Sequence, residues 1–124
     1  MFPALVVGFM SGLRPRLDVG DSHFTHVEPR LNPEIVGDLW YYEGPPDERG
    51  KFARIFDAVP NRIMFAGHYH KWLIARPDGI ANWKGDFPIR LGDGRYFVVI
   101  GALCEGRYEI FDTETSELVP YNET

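Results

Sequence analysis

Residues 63–72 read Ile63-Met64-Phe65-Ala66-Gly67-His68-Tyr69-His70-Lys71-Trp72, and the rest of the chain is organised around them. Four apolar residues with strand character stop at a glycine that lets the backbone turn sharply, and two imidazoles follow one residue apart. A loop at the end of a buried strand is where a rigid sheet presents reactive side chains. A neutral imidazole there can bind a divalent metal through one nitrogen while the other donates to a neighbouring acceptor.

Upstream of this block, Phe52, Ile55, Phe56 and Val59 recur at helical spacing, predicting an amphipathic helix over about 47–59. Asp47 or the prolines before it open that helix, and Pro60 stops it. The short connection onward makes helix and strand packing neighbours. Downstream, the pattern changes to strands separated by tight turns. Residues 72–75 and 80–83 around Pro77-Asp78-Gly79 read as a hairpin, residues 87–91 and 96–100 around Gly92-Asp93-Gly94 as a second, and residues 107–112 and 117–121 as a third. The expected product is an antiparallel meander, with Trp72 and Trp83 facing each other across its first hairpin as core.

The other two histidines lie in Asp21-Ser22-His23-Phe24-Thr25-His26-Val27-Glu28-Pro29, where turn formers bound a strand over 23–27 that places His26 near its end. Residues 31–47 read as a long loop, or a short helix within one. Their aromatic patch of Trp40, Tyr41 and Tyr42 is assigned to packing of that loop in preference to a substrate mouth. The apolar run at residues 2–10 is too short to span a bilayer and has no basic leader, so it reads as core or strand. An apolar run so close to residue 1 suggests a chain that begins in the middle of a fold.

Composition narrows the function. The 124 residues, 44% hydrophobic and 15% aromatic, are enough for one core, so residues 1–124 are read as a single soluble domain. A net charge of -5 and the lack of a basic block argue against nucleic acid or an anionic membrane as partner, and suit a bound cation. The single cysteine, Cys104, excludes an internal disulfide and fits a reducing cytoplasm.

At this point the residues carry a family likeness. Phe65-Ala66-Gly67-His68-Tyr69-His70 resembles the Gly-His-x-His block of the calcineurin-like metallophosphoesterases, and Phe24-Thr25-His26-Val27-Glu28-Pro29 resembles the histidine block that precedes it there. Residues 96–100, followed by Gly106-Arg107-Tyr108-Glu109-Ile110-Phe111-Asp112-Thr113, are similar to the family's closing strands, so the likeness runs from about residue 20 to 121. The resemblance implies an α+β fold, the C-terminal half of an αββα sandwich of mostly antiparallel or mixed sheet. It also implies two divalent metals (Mn, Fe, Zn or Ni) and a metal-activated hydroxide attacking a phosphate ester. By the same resemblance His26 and His68 would bind one metal and His70 the other. Two cations about 3.5–4 Å apart clamp the oxygens of such a displacement.

The departures are as informative. The family's Asp-x-His, Gly-Asp-x-x-Asp and Gly-Asn-His blocks precede these two, and none is found in order. Asp21-Ser22-His23 matches Asp-x-His only superficially, three residues before His26, and reads as a turn entering a strand, with Asp21 and His23 as weaker substitute ligands. Ile100-Gly101-Ala102 stands where some branches carry Asn-Pro-Gly-Ser. No catalytic residue is assigned, and retention of the metals depends on ligands this chain does not carry. Lys71, Arg76 and Arg107 read as ordinary basic surface residues, with contact to a phosphate as the alternative, since the sequence gives no pocket geometry. Two classes of function follow: a phosphoesterase truncated from a longer enzyme or completed from elsewhere, and a non-catalytic remnant acting as a metal-binding or interaction module. Half of a two-sheet sandwich leaves an apolar face, so a homo-oligomer is expected.

Overall fold

The computed structural model describes residues 11–42, 44 and 51–123. The apolar run at 2–10 and the expected start of the helix at 47–50 lie outside the described residues.

The buried strand is where the sequence places it. Strand β3 (Ile63–Ala66) is buried at every position, as is β7 (Tyr96–Val99). Strands covered on both faces have no polar side to alternate with, so they read as continuous apolar runs. Around them the larger sheet has six strands in the order β1-β2-β3-β7-β4-β5, where β1 is Arg16–Val19, β2 Ser22–Thr25, β4 Leu73–Arg76 and β5 Gly79–Ile80. Strand β3 runs parallel to both β2 and β7, whereas β1, β4 and β5 join antiparallel to their neighbours. A second sheet of three strands, β6-β9-β8, is built from β6 (Ile89–Arg90), β8 (Arg107–Asp112) and β9 (Glu117–Asn122).

Side chains on a strand alternate between faces, and this period divides the core in two. Ile63, Phe65, Ile74, Tyr96 and Val98 point to one face, where Leu118 of β9 and the buried Trp72, Trp83 and Leu91 meet them. Met64, Ala66, Leu73, Ala75, Phe97 and Val99 point to the other, beneath Ile55 and Phe56 of the amphipathic helix. The layers are therefore helix, large mixed sheet and small sheet. Trp72 and Trp83 pack edge to face at 5.5 Å, as expected of core residues.

The described residues include the α-helices α1 (Val36–Leu39), within the expected loop, and α2 (Lys51–Ala58), with a single 3-10 turn at Leu103–Glu105. Helix α2 ends before Pro60, which cannot donate a backbone hydrogen bond. Its orphaned C-terminal carbonyls are met by Arg95, which donates to Phe56 O at 2.7 Å and Val59 O at 2.6 Å. Arg95 immediately precedes β7, so the helix end is fastened to the sheet centre.

The antiparallel meander is corrected by this topology. Residues 87–91 and 96–100 do not form a hairpin: Ile89 pairs with Leu118 in the small sheet, while β7 crosses back to lie between β3 and β4. Four consecutive apolar residues need cover on both faces, which only the sheet interior supplies, whereas the 87–91 segment carries an exposed Phe87 and Pro88. Strand β1, exposed throughout, was not read from the sequence although Leu17 and Val19 alternate with Arg16 and Asp18, and it pairs with β2 through a turn at Gly20, φ 57°. The third hairpin forms as read, whereas the first is shorter: β4 extends to Arg76, Gly79 belongs to β5 and not to the turn, and residues 81–83 lie beyond the strand.

Candidate functional site

Because β2, β3 and β7 are parallel, their carboxyl ends open on one edge of the large sheet. His26 follows β2, the Gly67-His68-Tyr69-His70 loop follows β3, and Ile100-Gly101-Ala102 follows β7. The crevice outside such strand ends is the usual place for a site in sheets of this kind. Gly67 N–H donates to His26 O at 3.0 Å and Ile100 N–H to Ala66 O at 3.0 Å, so the three segments stay in register beyond the strands.

His26 and His68 are brought together. His26 Nε2 lies 3.2 Å from His68 Nδ1, with the rings nearly perpendicular. The other nitrogen of His68, Nε2, stands 3.0 Å from Tyr41 O. A carbonyl only accepts, so Nε2 carries the proton, and in the neutral ring Nδ1 keeps its lone pair toward His26. Burial, followed by repulsion from His68 and His70, lowers the pKa of His26 and favours its neutral form.

The backbone of the loop is held in an uncommon conformation. His68 and His70 have φ of 71° and 56°, in the left-handed region that residues with a Cβ enter at a cost of about 1–3 kcal/mol. Gly67 is not among the positive-φ residues, so the expectation that it makes the sharp turn is corrected: the histidines make it themselves. Strain of this kind persists only where the surroundings over-determine it. Glu28 is one such determinant, and sequence reading gave it no role. Its carboxylate, 2% exposed, pairs with the Arg30 guanidinium, stands 3.7 Å from Arg54 Nε on α2, and accepts from Tyr69 Oη at 3.0 Å. Burial, reinforced by Glu28, raises the Tyr69 pKa far above that of an ordinary phenol, keeping the donor protonated. The residue between the two loop histidines is thus anchored to the segment that carries His26. An acid two positions after a strand-end histidine was the available signal.

His70 lines the same cavity of about 460 Å³ as His26 and His68, with Arg107 and Glu109 also in its wall, and its Nδ1 lies 3.4 Å from Glu105 Oε1. The two weaker candidates lie elsewhere. His23 is buried with Nδ1 2.8 Å from Asp18 Oδ1, and Asp21, at the opposite end of β2 from His26, pairs with Arg62 Nε at 2.7 Å. The aromatic patch does not pack within its loop: Trp40 is 75% exposed, and the Tyr42 ring stands 6.1 Å from His68 and 6.2 Å from Tyr69, at the rim of the site.

The His26–His68 spacing suits a divalent cation. Two nitrogens each about 2.1 Å from one ion, at angles between right and tetrahedral, stand about 3.0–3.4 Å apart. The carboxylate side of such a site is not in place: among the described residues, no group of three or more His, Cys, Asp or Glu is close enough to hold a metal ion.

No family model and no curated protein matches the sequence. Among solved structures, the fold matches the crystal structure of a metallophosphoesterase from Sphaerobacter thermophilus, with a TM-score of 0.73 and 21% sequence identity, over 99% of this chain and 53% of that one. The chain therefore spans about half the length of that protein. The α+β fold expected from the sequence, part of a metallophosphoesterase architecture, is the one observed. No helix among the described residues is long and apolar enough to cross a membrane.

Proposed function

We propose, from the fold shared with a metallophosphoesterase, that this chain forms the C-terminal half of a metal-dependent phosphoesterase site whose remaining ligands come from a further segment or a second copy. The supporting observation is the 3.2 Å approach of His26 Nε2 to His68 Nδ1 at the ends of parallel strands. His26 and His68 would hold one cation and His70 would face a second. Such a cation, when bound, supplies Lewis-acid charge for a phosphoryl oxygen and makes water more acidic.

The chain's own residues prepare that site. The Tyr41 carbonyl selects the His68 tautomer whose Nδ1 faces His26. Burial favours the neutral form of His26, the form a metal ligand requires. Glu28, through Tyr69, sets the loop that carries both His68 and His70. The reaction class is hydrolysis of a phosphate ester, in which a P–O bond from water replaces the ester P–O bond and the alcohol leaves protonated.

Calorimetric titration with Mn²⁺ and Zn²⁺, beside turnover of a generic aryl phosphate, tests this reading. Binding in the wild type that falls at least tenfold in His68→Ala supports it, a loss of about 1.4 kcal/mol or more. No binding of either metal refutes it. The lack of a third close ligand favours a second reading, a remnant that keeps the fold as an interaction module, and metal binding without turnover under any condition would select it. A homo-oligomer is part of the proposal, supported by the exposed Leu17 and Val19 on β1 and the exposed Val36 and Trp40 at α1.

A further inference from the structure

A second cavity, of about 650 Å³, adjoins the histidine loop, and Arg107 lines both. Three cations, Lys71, Lys84 and Arg107, stand around it against one acid, Asp86. The Lys84 ammonium and the Arg107 guanidinium make no ion pair or hydrogen bond among the described residues. Unpaired cations gathered around one concavity raise the local concentration of anions.

The position of Arg107 is built into the fold. A Cβ on Gly101 would lie 2.7 Å from Cβ and Cδ of Arg107 and 3.0 Å from Trp72 Cε2, so the stem of Arg107 is seated on a residue that has no side chain. The cavity walls are also tied together: Trp72 Nε1 donates to Asn122 Oδ1 at 3.0 Å, and Asn122 Nδ2 donates to Gly85 O at 2.8 Å. Trp72 and Trp83, 8% and 2% exposed, are consumed by the core and offer no free face to a planar ligand. The lining is mostly apolar, and its charge is carried by Lys71, Lys84, Arg107 and Asp86. A guanidinium at its boundary suits a phosphoryl group, which it can engage with two parallel N–H donors.

We propose that this cavity binds an anionic leaving group, a second phosphoryl adjoining the one at the histidine loop, so that substrates with two neighbouring phosphates are favoured over alkyl monoesters. The proposal rests on the phosphoesterase reading for the identity of the adjoining group. Anion binding itself can be measured separately.

Isothermal titration of the full chain at low ionic strength in EDTA, with inorganic pyrophosphate and with orthophosphate, tests it. The expected result is pyrophosphate binding about tenfold tighter than orthophosphate, the scale of one added charge-assisted contact. Lys84→Gln, at an exposed position, should abolish most of that preference, while Arg107→Gln should weaken both anions. Arg76→Gln, an exposed cation outside the cavity, should change neither. Equal binding of the two anions, binding of neither, or an equal loss in Arg76→Gln and Lys84→Gln overturns the proposal. Zn²⁺ binding, followed in parallel with His68→Ala, separates the two readings. Metal binding without anion preference sinks only the leaving-group cavity, whereas anion preference without metal binding sinks the phosphoesterase.

Discussion

Glu109 Oε2 is shielded from solvent and has no hydrogen-bond partner, and burial raises its pKa from an ordinary 4.5 to about 8. Between these values the folded state binds a proton that the unfolded chain has released. Stability therefore falls as pH rises through this window, and above about pH 8 the loss is complete. At 1.36 kcal/mol per pH unit, the interval from 4.5 to about 8 amounts to roughly 5 kcal/mol, comparable to the whole stability of many small domains. Glu109→Gln keeps the shape and removes the titration, so its stability should lack this slope and exceed that of the wild type at alkaline pH. Urea unfolding of both proteins at pH 5 and pH 9 measures it, and subtracting one from the other cancels the remaining titrating groups. A wild-type-minus-variant difference that stays within about 1 kcal/mol across the two pH values would show that the carboxyl is solvated or paired, and the reasoning fails.

Gly85→Ala is expected to cost roughly 2–5 kcal/mol, because φ there is +74° and the added methyl would stand 2.3 Å from the Trp72 ring. Chemical denaturation followed by tryptophan fluorescence reads this directly, and a change below about 0.5 kcal/mol contradicts the packing described. The exposed apolar set on β1 and around α1 predicts a dimer or larger assembly in size-exclusion chromatography with light scattering. A monomer at all concentrations tested would remove the oligomer from the proposal.

The sequence by itself determined the local pieces whose cause is local. Ile63–Ala66 is a strand because four apolar residues end at a loop, and α2 buries Ile55 and Phe56 because their spacing makes one face. The β8–β9 hairpin follows from its turn, and the histidine loop falls at a strand end as the Gly67-His68 boundary indicates. Only the tertiary structure decided which strands became neighbours. Strand β7 left its sequence neighbour for the place between β3 and β4 because its apolar side chains needed cover on both faces, a demand that no local pattern locates in space. The site followed from that choice. Parallel pairing of β2 with β3 put His26 beside His68, sent Asp21 to the opposite end of β2, and turned Glu28 from an unremarked acid into the buried anchor of Tyr69. Side-chain chemistry is written in the residues, but distance is set by strand order, which depends on where the whole chain can bury its apolar surface.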